Sequence, residues 1–237
     1  MTLFANKLKN RHLQFFICFG GVLLSDALLS HYQINSWRYL SKPLIVLSLI
    51  GYFWTYKKEL SKPLFQWGLC ALLFSLAGDV FLMFTHMSAH FFTAGLGAFL
   101  LAHVFYILLF VRQRNKKLPI PWLQGGLLLC YAVLMGFLVL DQTGDLKIPV
   151  LVYITVITAM AFSSLMRKGN MTAVAYGSGV LGARFFLASD SLLALSMFRD
   201  QFPDVGFLVM ISYGLAQALI VYSLSQSEQK IRSKISL

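Results

Sequence analysis

The sequence predicts an all-α polytopic membrane protein: a bundle of eight transmembrane helices, one domain over residues 1–237, with both termini cytoplasmic. Three observations predict it. Hydrophobic residues make up 58% of the 237 and charged residues only 12%, against roughly 25% charged in a soluble domain. The apolar residues gather into runs of about 20, the length at which a helix crosses a hydrocarbon core of about 30 Å. The basic residues concentrate in alternate loops, the pattern that orients such a bundle.

The spans read as 13–30, 39–56, 64–84, 91–111, 121–140, 148–166, 171–198 and 205–225. The first follows Lys7, Lys9 and Arg11 and has the outline of a secretory signal. It is longer than a signal's apolar region and ends on no small-residue cleavage site, so it is expected to stay as a span. The second and third open near two copies of "SKPL", Ser41–Leu44 and Ser61–Leu64. Serine can cap a helix and proline suits its first turn. The fourth run ends at Arg112 and Arg114. "LPIPW", Leu118–Trp122, opens the fifth, with Trp122 suited to the interfacial belt. The sixth ends at Arg167 and Lys168 and the seventh at Arg199; the eighth precedes Lys230, Arg232 and Lys234. Gly20, Gly21, Gly95, Gly97, Gly177, Gly179 and Gly182 are candidates for close helix approach.

The net charge of +11 does not call for nucleic acid. Lys57, Lys58, Lys62, Lys116, Lys117 and the basic groups just named fall mostly on one side; the alternate loops hold only Arg38, Lys42, Lys147 and Arg199. Orientation accounts for the charge, and the lipid bilayer is the partner it implies. Cys18, Cys70 and Cys130 all fall within spans, so no disulfide framework is expected. The runs leave no soluble domain between them, and any chemistry belongs to the membrane or its surface. The expected location is a bacterial cytoplasmic membrane; the oligomeric state is left open.

Polar side chains inside the spans are few: Asp26, Asp79, His103 with Tyr106, Arg184 with Ser189 and Asp190, and Tyr213 with Gln217. An acid at mid-bilayer costs roughly 2.5–3.5 kcal/mol on insertion scales and marks a functional site by default. The three aspartates fall four to eight residues before the outer ends of their spans, roughly 6–12 Å below the boundary. His103 and Gln217 lie near the middle, and Lys42 stands at the outer start of span two. This shared depth predicts one cluster in the outer half. Gly95, Phe99, His103 and Tyr106 share one helical face, as do Ala183, Phe186, Asp190 and Ala194. Arg184 points about 120° from Asp190 and is expected to pair with a carboxylate of another helix. Three acids facing one buried arginine imply that at least one carboxyl keeps its proton.

Each group also has a structural reading. The aspartates, His103, Tyr213 and Gln217 could be interhelical links, and Lys42 could reach toward the interface without further role. His86 and His90 have the i, i+4 spacing of metal ligands, but they fall in a turn without a third ligand, and no metal site is expected.

Three stretches carry a resemblance: "LLFSLAGDVFLMF" (Leu72–Phe84), "FFTAGLGAFLLAHVFYILLF" (Phe91–Phe110) and "GARFFLASDSLLAL" (Gly182–Leu195). With "SKPL" at Ser41–Leu44 and "YGLAQALI" at Tyr213–Ile220, in this order, the chain resembles the lysoplasmalogenases, the YhhN-like membrane proteins, over spans two to eight. Arg184 stands where that resemblance leads one to expect an apolar residue. The resemblance implies an eight-span hydrolase that cleaves the vinyl ether bond of a lysoplasmalogen, a lysophospholipid. The products would be a fatty aldehyde and glycerophosphoethanolamine or glycerophosphocholine.

The family's paired aspartates map onto Asp79 and Asp190. Carbon protonation of a vinyl ether needs a carboxylic acid, and the resulting oxocarbenium ion needs a carboxylate nearby, as in glycosidases. In this reading His103, Tyr106, Ser189, Asp26, Tyr213 and Gln217 orient water or substrate, Lys42 meets the substrate phosphate, and Arg184 pairs charge. No metal or organic cofactor is required. A proton-coupled transporter or lipid carrier would also use membrane-embedded acids, although no inverted repeat accompanies them. A metal-dependent intramembrane lipid hydrolase would want several histidines at depth, where only His103 is found. A purely structural membrane protein does not account for acids at one depth.

Overall fold

In the computed structural model each apolar run is a helix; residues 2–199 and 202–227 are described, with side chains from His12 onward. The helices are α1 (Thr2–His31), α2 (Asn35–Trp54), α3 (Lys62–Met83), α4 (Ala89–Arg112), α5 (Trp122–Val139), α6 (Lys147–Leu165), α7 (Ala173–Phe198) and α8 (Val205–Ser225). No strand occurs among the described residues. Lys230, Arg232 and Lys234 lie outside them, as do the side chains of Lys7, Lys9 and Arg11.

Among the described residues seven helices are long and apolar enough to cross a membrane. The exception is α2, which has the length but carries Asn35, Arg38, Ser41 and Lys42 in its first half. It packs among α1, α3 and α8. Its start corrects the expected boundary. The helix begins at Asn35, so Pro43 lies inside it and Ser41 caps nothing. The second "SKPL" does behave as a helix start: Ser61 is the N-cap of α3 and Pro63 falls in its first turn. Identical tetrapeptides thus occupy different positions, because Ser41 has a buried carboxylate to bond across the helix interface.

The closest pairs are α7 with α8 and α3 with α4, and α4 also packs on α6. One continuous core runs from Phe19 on α1 to Leu224 on α8. Beside it, α5 joins a smaller cluster around Met135, Val139 and Val150. Its outer face presents Leu123, Leu127, Val133 and Phe137, the apolar exposure expected of a helix against lipid. The glycines divide. At Gly182 a Cβ would come within 2.9 Å of the Ala216 carbonyl oxygen, so glycine sets the α7–α8 separation. Gly20, Gly21, Gly97 and Gly177 have open space and set no contact, while Gly68, Gly78 and Gly214 do. The three cysteines are free, Cys18 and Cys130 facing outward.

Candidate active site

Two carboxylate clusters stand near the end of the bundle where α1, α3 and α7 finish, on either side of an aromatic wall. The first is built on Asp79 of α3, which is 1% exposed. Its Oδ2 accepts a 2.7 Å hydrogen bond from the Tyr213 hydroxyl of α8, and its Oδ1 lies 3.6 Å from Lys42 Nζ of α2. The hydrogen bonds continue: Gln217 Nε2 donates to the Tyr213 oxygen at 3.3 Å, and the Tyr106 hydroxyl donates to Gln217 Oε1 at 2.7 Å. Four helices therefore converge on one buried carboxylate.

The second cluster is built on Asp190 of α7. Its Oδ2 accepts from the Tyr153 hydroxyl of α6 at 2.5 Å and from His103 Nε2 of α4 at 3.2 Å. No hydrogen bond among the described residues reaches Oδ1. Donating through Nε2 leaves His103 Nδ1 as a bare buried acceptor without a partner, a smaller cost than a buried unpaired N–H. Asp190 lines a narrow apolar cleft of about 40 Å³, walled by Leu82, Phe92, Leu96, Val150 and Phe198.

Phe186 ties the clusters together. Its ring stands edge-on to His103 at 4.6 Å and to Tyr213 at 5.5 Å. Phe99 closes the wall at 5.8 Å from Tyr213. The two aspartates thus share one wall but bond to different partners.

Asp26 of α1 forms a third buried group. Its Oδ1 accepts from Ser41 at 2.5 Å and lies 3.8 Å from Arg38 Nε, while Oδ2 has no partner. Arg38 and Lys42 also face a polar vestibule of about 360 Å³. An open apolar groove of about 820 Å³ runs between α1 and α2, with Ser41 among its lining residues.

Against expectation, Arg184 is exposed on α7 and forms no ion pair among the described residues; its place in the helix turns it away from the α8 contact that Gly182 makes. Among the described residues the buried arginine is Arg167, which follows α6. Ser189 also departs from the site, because its hydroxyl donates to the Val209 carbonyl and links α7 to α8. His103 and Tyr106 share a face yet serve different carboxylates. Tyr153 and Arg38 were missed; the single phenol of its span and an arginine one turn before Lys42 were the available signals. His86 and His90 are exposed, and no three metal-ligating side chains come together among the described residues.

The fold and the site define an all-helical, multi-pass integral membrane protein with an acid-rich interior. The chain belongs to the YhhN family, whose profile matches residues 37–224. It is 33% identical to human lysoplasmalogenase TMEM86A over 169 residues, 68% of this chain and 65% of that protein. It is 30% identical to human lysoplasmalogenase TMEM86B over 199 residues, 82% and 78% of the two chains. The pig TMEM86B is 32% identical over 66% of this chain and 62% of its own length. The chain thus spans a little under two thirds of TMEM86A. No solved structure matches it.

Proposed function

We propose that the protein is a lysoplasmalogenase, hydrolysing the vinyl ether of a lysoplasmalogen to a fatty aldehyde and glycerophosphoethanolamine or glycerophosphocholine. The observation that carries this is Asp190: a carboxyl that lines an apolar cleft, with one oxygen anchored by Tyr153 and His103 and the other without a hydrogen bond among the described residues. Asp190 acts as the general acid of this reading, giving a proton to the β-carbon of the alkenyl group. The carbon–carbon double bond supplies the electron pair, and an oxocarbenium ion remains. Water adds to its carbon and gives a proton to carboxylate. The hemiacetal then collapses, the glycerol oxygen leaving with a proton as the aldehyde forms.

Asp79, held by Tyr213 and Lys42, supplies negative charge across the aromatic wall, where a developing cation is stabilised. The Tyr106–Gln217–Tyr213 chain fixes its orientation. The family and the names of its relatives support the substrate.

The test is aldehyde release by purified protein from vinyl-ether and ester lysolipids side by side, with and without EDTA. Aldehyde from the vinyl ether alone, insensitive to EDTA, is the expected result. Chelator-sensitive turnover would favour a metal-dependent hydrolase, and transfer of intact lipid without product would favour a carrier.

A further inference from the structure

The mechanism above leaves without a role the polar vestibule beside the acids, lined by Arg38 and Lys42. Arg38 is its main cation. The inner edge of the guanidinium turns toward Asp26, with Nε 3.8 Å from Oδ1. No hydrogen bond among the described residues engages its two terminal nitrogens. Lys42 lies one turn deeper on the same face, and its 3.6 Å separation from Asp79 is beyond ordinary hydrogen-bond length. Both cations therefore have donors to spare on the vestibule side. The first turn of α2 enters there at Asn35 with no side-chain cap, and an uncapped helix start favours an anion. Thr85 and His86 stand opposite.

Resting on the lysoplasmalogenase reading, we propose that this vestibule binds the phosphodiester of the substrate, with Arg38 as its anchor and Leu82 as the divider over which the single chain passes to Asp190. Leu82 lines both the vestibule and the Asp190 cleft. It packs on Gly95 of α4, where a Cβ would come within 2.8 Å of Leu82 Cδ2, so the glycine leaves room for the side chain between the two cavities. The depths agree. Arg38 is three residues inside the start of α2 and Asp190 eight residues before the end of α7. At 1.5 Å per residue the offset is roughly 7 Å, the reach of a glycerol unit. A planar guanidinium suits two phosphate oxygens at once. The cleft beyond Leu82 admits one chain's reactive end, which matches a lysolipid rather than a two-chain lipid.

The experiment compares wild type, Arg38→Gln, Arg38→Lys and His86→Gln in nanodiscs of zwitterionic lipid. Substrates are a lysoplasmalogen and 1-alkenylglycerol, which lacks the phosphate. Arg38→Gln is expected to raise KM for the lysoplasmalogen about tenfold and to lower its kcat/KM at least fivefold more than that of alkenylglycerol. Arg38→Lys should recover part of the loss. Equal losses on both substrates, or no loss, overturn the site. Competition by phosphatidylglycerol at parity with substrate assigns the vestibule to bulk anionic lipid and overturns it too.

Binding of a saturated-ether lysophospholipid, which cannot be cleaved, separates this inference from the proposed activity. Arg38-dependent binding with no aldehyde from wild type refutes the activity alone, and binding indifferent to Arg38 refutes the site. Should Arg38→Gln fail to fold, exposed His86→Gln decides: a KM raised about threefold for lysoplasmalogen only supports the site, and an unchanged KM overturns it.

Discussion

Tyr153 donates to Asp190 Oδ2 across the α6–α7 interface at 2.5 Å, leaving the other carboxyl oxygen unbonded beside the cleft. As Asp190 gives up its proton this bond becomes one to a charged acceptor, which contributes about 1.5–3 kcal/mol, and each 1.4 kcal/mol is tenfold in rate. Tyr153→Phe keeps the ring that packs edge-on to His103. It is expected to lower kcat about tenfold with little change in melting temperature, read by aldehyde release and thermal unfolding in detergent.

Asp190→Asn keeps the shape of the side chain and removes its transferable proton. General acid catalysis contributes about 10²–10⁴-fold, so kcat should fall by that factor while KM for the lysolipid stays within about threefold. Loss of binding with intact kcat would instead make Asp190 a substrate-positioning group.

Asp79 presents a different case, because it is buried opposite a cation. Removing one partner of a buried pair costs about 3–5 kcal/mol, whereas replacing both by neutral groups can cost little. Asp79→Asn is therefore expected to lose both stability and turnover. The double variant Asp79→Asn, Lys42→Met should regain stability and remain inactive, which separates folding from chemistry. Recovery of turnover in the double variant would remove Asp79 from the mechanism.

The helices were legible because a bilayer forces backbone groups to bond within each apolar run. The boundary of α2 was not, since "SKPL" has the composition of a helix start and only the buried Asp26 carboxylate explains Ser41 lying within the helix. Asp26, Asp79, His103, Tyr106, Asp190, Tyr213 and Gln217 stood out as polar groups in apolar surroundings. Their partition into three groups, around Asp79, Asp190 and Asp26, was hidden, because depth follows from sequence position while azimuth depends on how the helices rotate against one another. Tyr153 escaped for the same reason: a tyrosine among aliphatic residues is as suited to lipid as to a carboxylate.

Arg167 gives the last prediction, one that concerns the fold and spares the chemistry. It follows α6 at the opposite end of the bundle from the acids, and it is fully buried with no ion-pair partner among the described residues. Its Nε donates to Gln113 at 2.9 Å, its Nη2 to Ser223 at 3.0 Å, and its guanidinium lies 4.6 Å from the Phe110 ring centre. The residue so joins the ends of α4 and α8 to the start of α7, where Ser223 also donates to the Ala175 carbonyl. Arg167→Ala should cost about 2–4 kcal/mol through lost hydrogen bonds and the cavity left behind. Turnover per folded molecule should be unchanged.

Burial pushes the Arg167 pKa down from 12.5 to about 9, so the group is charged in both folded and unfolded states at neutral pH. The unfolded chain then binds the extra proton only between those two values, and stability from this group rises with pH there. The gap in melting temperature between wild type and Arg167→Ala is expected to stay constant from about pH 6 to 8 and to widen above about pH 9. A gap that narrows on raising the pH would mean that the folded protein holds the charge more tightly than the unfolded chain, against the burial described.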